Sequence, residues 1–529
     1  MSLRYLLISF CLIGLWACDK NGTEEQLPPP NIIFIMTDDH AVDAISAYGS
    51  NLISTPHIDR IAKHGMQFDN AFVTNSICGP SRAVIMTGKF SHKNGFKSNR
   101  DTFDGNQATL PKYLQQAGYY TAIAGKWHLK STPQGFDEYS VLLDQGEYYS
   151  PQFYNGTDTT VVEGYATNVI TDKALQVLDT QKDGEKPIFL MIHHKAPHRN
   201  WMPDTTHLSS GKEKVYPFPE TFWDDYKTRT DAASKQDMRI ENMFLGMDMK
   251  LMLPNAQEDE TGTGGDPKAP SYTWWMRDYN LMTDDQREVW DAYYGPINEA
   301  YQNNPPKGKA LTEWKYQRYM NDYLKCVQSV DDNVGRVLDY LEENGLSDNT
   351  LVIYTSDQGF YLGEHGWYDK RFMYEPSFRT PLFMQLPTKL KGKQKNEKLV
   401  QNIDFAPTML AAAGVAIPSD MQGESLLSLG DKKNQRWRDQ LYYHYYQGGT
   451  WHFVEKHVGI RTERYKLIFY YDLGDWELYD LQSDPQEVNN LYRDATYKPL
   501  SDSLKVELQG LATTYEDTTA LNLLGVNGK

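Results

Sequence analysis

The chain has 529 residues, with 53 Lys+Arg against 70 Asp+Glu for a formal charge of −17, and is 40% hydrophobic and 13% aromatic. That length supports a large buried core with a second, smaller unit, and the composition excludes disordered, collagen-like and multi-span membrane proteins. The acidity and the lack of a long Lys/Arg run exclude nucleic acid as a partner, and an anionic ligand would need positive charge concentrated in one place.

Arg4 precedes an apolar run that is too short to span a bilayer comfortably and ends at Leu15-Trp16-Ala17-Cys18. Residues 1–17 therefore read as a secretory signal. A Cys directly after a small residue resembles a bacterial lipoprotein junction, which would put a lipid on Cys18 and the protein in the periplasm or on the outer membrane. Residues 18–30, acidic and then Pro28-Pro29-Pro30, read as a tether. Cys11 and Cys18 fall in the signal, so only Cys78 and Cys326 remain and no disulfide framework is expected.

Asn31-Ile32-Ile33-Phe34-Ile35-Met36 predicts a buried strand that delivers Thr37-Asp38-Asp39-His40 at its carboxyl end. Thr55-Pro56 with Ile58, Ile61 and Gly65 predicts a helix, and Thr109-Leu110-Pro111 to Gly118 repeats the pattern. Strands follow at 120–125, before Lys126-Trp127-His128, and at 187–192, before His193, His194, Lys195 and His198. Residues 200–314 read as an irregular Trp/Tyr/Pro-rich insertion with a Gly-rich piece at 261–265. A long helix with Met320, Leu324, Val327, Val334, Val337, Leu338 and Leu341 on one stripe stops at Gly345, and a strand at 350–356 ends in Asp357-Gln358-Gly359. Beyond 418 the pattern becomes four antiparallel strands, at 441–446, 457–462, 465–471 and 476–481, and a helix at 504–515.

The expected fold is α/β. A large, mostly parallel (mixed) sheet sandwiched by helices spans 31–418, and a smaller C-terminal α+β domain, 419–529, carries an antiparallel sheet. Four strands end in carboxylates, amides, Lys or His, and sheets of this kind bind ligands beyond their carboxyl ends, so one site can collect them all. Ser76-Ile77-Cys78-Gly79-Pro80-Ser81-Arg82 then places Cys78 at a helix start, where partial positive charge welcomes an anion, with Arg82 one turn inside. A buried Cys that merely packs there is the plainer alternative.

Cys78-x-Pro80-Ser81-Arg82 followed by Thr87-Gly88 resembles the signature of type I sulfatases of the alkaline phosphatase superfamily. Further blocks match: Thr37-Asp38-Asp39, Gly125-Lys126-Trp127-His128, Lys195-Ala196-Pro197-His198, Ser356-Asp357-Gln358-Gly359 and Asp369-Lys370. The resemblance implies an alkaline-phosphatase-like fold, hydrolysis of sulfate esters, and oxidation of Cys78 to 3-oxoalanine (Cα-formylglycine) by a separate maturating enzyme. It also implies one Ca²⁺ held by Asp38, Asp39, Asp357, Gln358 and the modified Cys78. Oxygen ligands suit a hard cation, Mg²⁺ included. Gln358 stands where many members have Asn or His.

By the same resemblance, hydrated formylglycine attacks sulfur, a task for which a thiol is unsuited because it would leave a stable thiosulfate ester. His128 is the implied base for sulfate release, Asp357 assists attack, His198 protonates the departing alkoxide, and Arg82, Lys126 and Lys370 clamp the sulfate oxygens. Residues 356–375 together with Ser76-Ile77-Cys78 are most similar to bacterial N-acetylglucosamine-6-O-sulfatases, which implies exo-acting 6-O-desulfation of a sulfated saccharide such as heparan. Trp201, Arg371, His444, Trp451 and His452 are candidates to read the sugar, or else to pack a domain interface. His193 and His194 are candidates to support the site from behind, whereas His40, His57, His64 and His92 read as structural or surface residues. Two other functions remain open at this point. One is a phosphonate or phosphate ester hydrolase of the same superfamily. The other is a catalytically dead, glycan-binding surface lipoprotein, whose mark would be loss of Cys78, Arg82 or a metal Asp, and all of these are present.

Overall fold

Asn31–Thr37 occupies the middle of a ten-stranded sheet because its side chains are apolar on both faces. Ile33 and Ile35 enter one core, and Ile32, Phe34 and Met36 the other. In this computed structural model, residues 28–211, 214–252, 271–390, 392–430, 436–449 and 452–526 are described. The signal, Cys18, the Gly-rich 261–265 piece and Trp451 lie outside the described residues.

Asn31–Thr37 pairs in parallel with Thr350–Ser356 on one side and with Ile188–His193 on the other, and Tyr120–Lys126 continues the parallel order. These four strands match the expected ones to within a residue. Antiparallel partners extend both sides: Leu382–Gln385 beside Thr350–Ser356, and Gln152–Tyr154 with Thr159–Val161 at the far edge. Helices Pro56–His64, Ala166–Gln181 and Lys309–Glu343 cover one face, and Cys78–Thr87, Leu110–Gln116 and Phe405–Ala412 the other. The mixed sheet between helical layers is the expected α/β architecture.

The 200–314 stretch is less irregular than its composition suggests, since Ser271–Asn280 and Asp284–Asn303 are helices. Thr283 and Gln286 form a capping box at the start of the second one, and Trp290 and Tyr294, four apart, bury one face of it. The aromatic residues that suggested an open loop are the buried stripe of a helix.

Toward the C-terminus, Gln440–Tyr445, His457–Thr462, Tyr465–Tyr470 and Asp475–Asp480 form the expected antiparallel meander. Its two faces do different work, as the strand period of two requires. Leu441, Tyr443 and Tyr445 pack with Phe372, Met373 and Tyr374 of the large unit, while Tyr442 packs with Leu504, Leu508 and Ala512 of the helix Lys498–Thr514 and its surroundings.

Register then determines where chemistry can gather. Thr37 pairs with Ser356 and Met36 with His193, so Asp38 and Asp357 emerge side by side at the sheet's carboxyl edge, with the Lys126 strand end beyond the intervening His193 strand. Gly125 makes that edge possible: its φ is +106°, and a Cβ there would lie 2.0 Å from the His193 carbonyl oxygen.

Candidate active site

Three carboxylates meet at the strand ends. Asp38, Asp39 and Asp357 are fully buried and each offers an oxygen within 4.8 Å of the others. Asp39 reaches this position through a left-handed backbone (φ +71°), and its amide donates to Asp357 Oδ1 at 3.2 Å. Tyr323 of the long helix braces the turn by donating to the Asp39 carbonyl and accepting from the Ala41 amide, both at 2.8 Å.

Three cations answer the three acids. Lys126 donates to Asp38 Oδ2, and Lys370 to Asp39 Oδ2 at 2.7 Å. Arg82, one turn into the helix Cys78–Thr87, places Nε 3.0 Å from Asp357 Oδ2 and gives a further N–H to the Lys126 carbonyl at 2.8 Å. Arg82 thus fixes the acids and the Lys126 backbone together. His193 reaches the same carbonyl through Nδ1 at 3.1 Å, which places it behind the site, whereas neither ring nitrogen of His194 has a hydrogen-bond partner.

The balance of charge leaves a gap for a cation. Burial opposes the charge of Asp38, but Lys126, His198, Arg82 and Lys370 outweigh it and hold its carboxyl well below the usual range. Burial pushes Asp39 up to about 6, and burial with Asp38 nearby pushes Asp357 up to about 8. Two buried oxygens at the centre, Asp38 Oδ1 and Gln358 Oε1, have no hydrogen-bond partner. Unpaired, buried, oxygen-only groups beside an acid trio fit a hard divalent ion. Gln358 turns its amide nitrogen to Asp39 Oδ1 (2.5 Å) and Cys78 Sγ (3.7 Å), which leaves the oxygen for the ion.

Cys78 is the first residue of its helix, at the helix start where the sequence places it. Burial pushes its thiol far above the ordinary range, so as a thiol it stays protonated and is a poor nucleophile. Ser81 donates to the Asp357 carbonyl and accepts from Asn402 Nδ2 at 2.8 Å, fixing the helix start to the acid.

Cys78, His128, His198 and Lys370 line a cavity of about 710 Å³. His198 Nδ1 donates to the Arg199 carbonyl at 2.6 Å, which leaves Nε2 facing Asp39 Oδ2 at 3.8 Å. Burial, with Lys126 adding to it, holds both His128 and His198 well below the ordinary imidazole range, so each is neutral. Gln145, which the sequence did not single out, accepts from Lys126 and puts its amide nitrogen 3.0 Å from His128 Nε2. Its loop carries no motif, so no sequence signal marks it.

The outer wall separates the sugar-reading candidates. Arg371 and His452 line the cavity and converge on Asp369, at 3.0 Å from Arg371 Nε and 3.4 Å from His452 Nε2. Asp237 holds the other His452 nitrogen at 3.1 Å. His444 does not reach the cavity. It lies on the Tyr442 face of its strand and bonds Asp517 at 2.7 Å, because strand alternation turns it toward the C-terminal helices. Trp201 is also absent from the wall, since it is fully buried against Tyr319.

Comparison with known proteins agrees with this geometry. The Sulfatase family model matches residues 30–415, and the model described as N-sulphoglucosamine sulphohydrolase, C-terminal, matches 363–514. An N-acetylglucosamine-6-O-sulfatase of Bacteroides thetaiotaomicron is 46% identical over 97% of this chain and 91% of its own length. An arylsulfatase of Clostridium perfringens is 25% identical over 93% of this chain and 97% of its own. A solved structure, described as in complex with its substrate D-glucosamine-2-N,6-O-disulfate, superposes with a TM-score of 0.87 at 47% identity, covering 93% of this chain and 99% of that one.

Proposed function

The chain belongs to the sulfatase family, and from that premise we propose that this sulfuric ester hydrolase removes 6-O-sulfate from glucosamine residues at the accessible end of a glycan. One observation carries the chemistry: the unpartnered oxygens of Asp38 and Gln358 among three buried carboxylates, directly beside Cys78. The 46% identical relative and the glucosamine disulfate complex support the sugar assignment.

Asp38, Asp39, Asp357 and Gln358 would hold the divalent ion, Ca²⁺ by ligand type. When bound, the ion supplies charge stabilisation for a sulfate oxygen, and oxidised Cys78 supplies a hydroxyl nucleophile in place of an inert thiol. The protein's own groups do the rest. Lys126 and Lys370 draw the anionic ester between them, while Arg82 keeps Asp357 and the Lys126 backbone fixed, so these donors need no reorganisation as charge develops. His198 Nε2 faces the acid cluster, and the incoming negative charge raises its proton affinity. A proton held there can pass to the leaving sugar oxygen, which is a poor leaving group without it. His128, neutral and steadied by Gln145, is placed to accept a proton as sulfate departs. Arg371, His452 and Asp369 present donors and acceptors to sugar hydroxyls at the outer wall.

The reading extends to the cell. The apolar 1–17 segment and the Ala17-Cys18 junction support export, lipidation at Cys18 and residence in the periplasm or outer membrane, and the Cys78 motif supports action by a maturating enzyme. No helix among the described residues is long and apolar enough to cross a membrane. Incubation with 6-O-sulfated N-acetylglucosamine, with the 3-O-sulfated isomer in parallel, tests the substrate. Inorganic sulfate is expected from the first only, and release from neither by enzyme that turns over an aryl sulfate would refute the sugar assignment.

A further inference from the structure

His57, in the first turn of the helix Pro56–His64, and Asp331 and Asp332, on the long helix, bring a ring nitrogen and two carboxylate oxygens within 4.8 Å of one another. His207, the last residue of the short helix Thr205–His207, joins them with Nε2 3.2 Å from Asp332 Oδ2. His207 lies outside the trio and reaches it through Asp332, so three separate chain segments come together here.

The way His57 is seated singles the cluster out. A Cβ on Gly335, one turn beyond Asp331, would lie 2.5 Å from His57 Nδ1, 2.7 Å from its Cγ and 2.8 Å from its Cε1. Nearly equal distances to three ring atoms mean that the glycine lies under the ring's face, so the in-plane lone pair is not blocked. Yet Nδ1 is buried and has no hydrogen-bond partner, a costly state unless something fills that lone pair. Asp331 is fixed by the amides of His57 (3.1 Å) and Ile58 (2.8 Å).

We propose that His57, Asp331 and Asp332 bind one divalent ion of the zinc class, with His207 orienting Asp332 from outside, separate from the ion at the catalytic carboxylates. One imidazole and two carboxylates, with a water as fourth ligand, form a mixed nitrogen/oxygen set for a borderline four-coordinate ion, unlike the oxygen-only set around Asp38. Held between two packed helices and away from the catalytic cavity, the site is structural. It ties the start of the 200–314 stretch and the helix Pro56–His64 to the long helix. Tyr323, which braces the Asp39 turn, lies eight residues before Asp331, so the ion sits about 12 Å along the helix axis from the catalytic turn.

Calorimetric titration of the calcium-loaded enzyme with Zn²⁺ tests this. One tight Zn²⁺ per chain is expected, weakened at least tenfold in the double variant His57→Ala/His207→Ala, with sulfate release unchanged. Co²⁺ should give the visible bands of a four-coordinate ion in the parent and not in that variant. Asp332→Asn alters a solvent-exposed carboxylate and so tests the site without threatening the fold; it too should weaken binding at least tenfold. The absence of one-to-one binding in the parent, or unchanged binding in either variant, overturns the proposal.

Discussion

The floor and the outer wall of the cavity are built on opposite plans. At the floor, Asp38, Asp39, Arg82, Lys126, Asp357 and Gln358 are at most 1% exposed, stand at strand ends or on the first turns of a helix, and bond one another. At the wall, Asp369, Arg371 and His452 come from loops with left-handed backbones, with φ of +74°, +96° and +69°. The floor is held by sheet register and is suited to reaction chemistry that must not move. The wall is held by long-range contacts, such as His452 between Asp237 and Asp369, and is suited to features that vary with substrate.

If this division is right, substitutions should sort by region. Cys78→Ala should lower kcat by about 10⁴-fold or more, as loss of a nucleophile does elsewhere, while sugar binding measured by calorimetry persists. Residual turnover near that of the parent would break the assignment of the floor. His198→Ala should cost about 10²- to 10⁴-fold on sugar sulfates, the usual worth of a general acid, and far less on an aryl sulfate whose leaving group needs no proton. Equal losses on both substrates would remove the acid role. At the wall, Arg371→Ala should raise KM by about 10- to 100-fold with a smaller change in kcat, as expected when a charge-assisted hydrogen bond made alike in ground and transition states is lost. A kcat effect as large as that of His198→Ala would merge the two regions.

The acids of the floor also set a pH dependence. Asp39 is raised to about 6 and Asp357 to about 8, both by burial, from an ordinary value of 3.8. At these two acids the folded metal-free protein therefore binds more protons than the unfolded chain. Its stability from these groups is full below the unfolded value and is lost as pH rises through about 6 and then about 8. A divalent ion displaces those protons, so the Tm gap between calcium-loaded and chelator-treated protein should widen between about pH 5 and 8. A flat or shrinking gap would contradict the electrostatics of the site. The smallest catalytic effect is expected at His444, whose partner is Asp517 in the C-terminal unit. His444→Ala should lower Tm while leaving kcat/KM within about twofold, since it acts only on stability.

The same division explains what could be read without coordinates. Asp38, Lys126 and Asp357 were legible because each directly follows or ends a short apolar run, and a buried parallel strand leaves little freedom over where its end points. Cys78 and Arg82 were legible because they share one contiguous motif. Asp369 was seen only as a neighbour of Lys370, and Gln145 and Asp237 were not seen, because their positions depend on loop paths fixed by distant residues. His444 was misplaced for a simpler reason. An aromatic-rich strand buried on both faces hides its phase, and one step of phase separates the cavity side from the helix side. Trp201 and the Trp290 helix show the converse, since aromatic residues that suggested a binding surface were filling a core.

The central claim is that catalysis at the floor belongs to the oxidised form of residue 78. Preparations made with and without the maturating activity can be compared by quantitative mass spectrometry of the peptide containing Cys78, alongside sulfate release from 6-O-sulfated N-acetylglucosamine. The account predicts that turnover rises in proportion to the oxidised fraction and vanishes with it. Undiminished turnover by protein that carries only the thiol would contradict it.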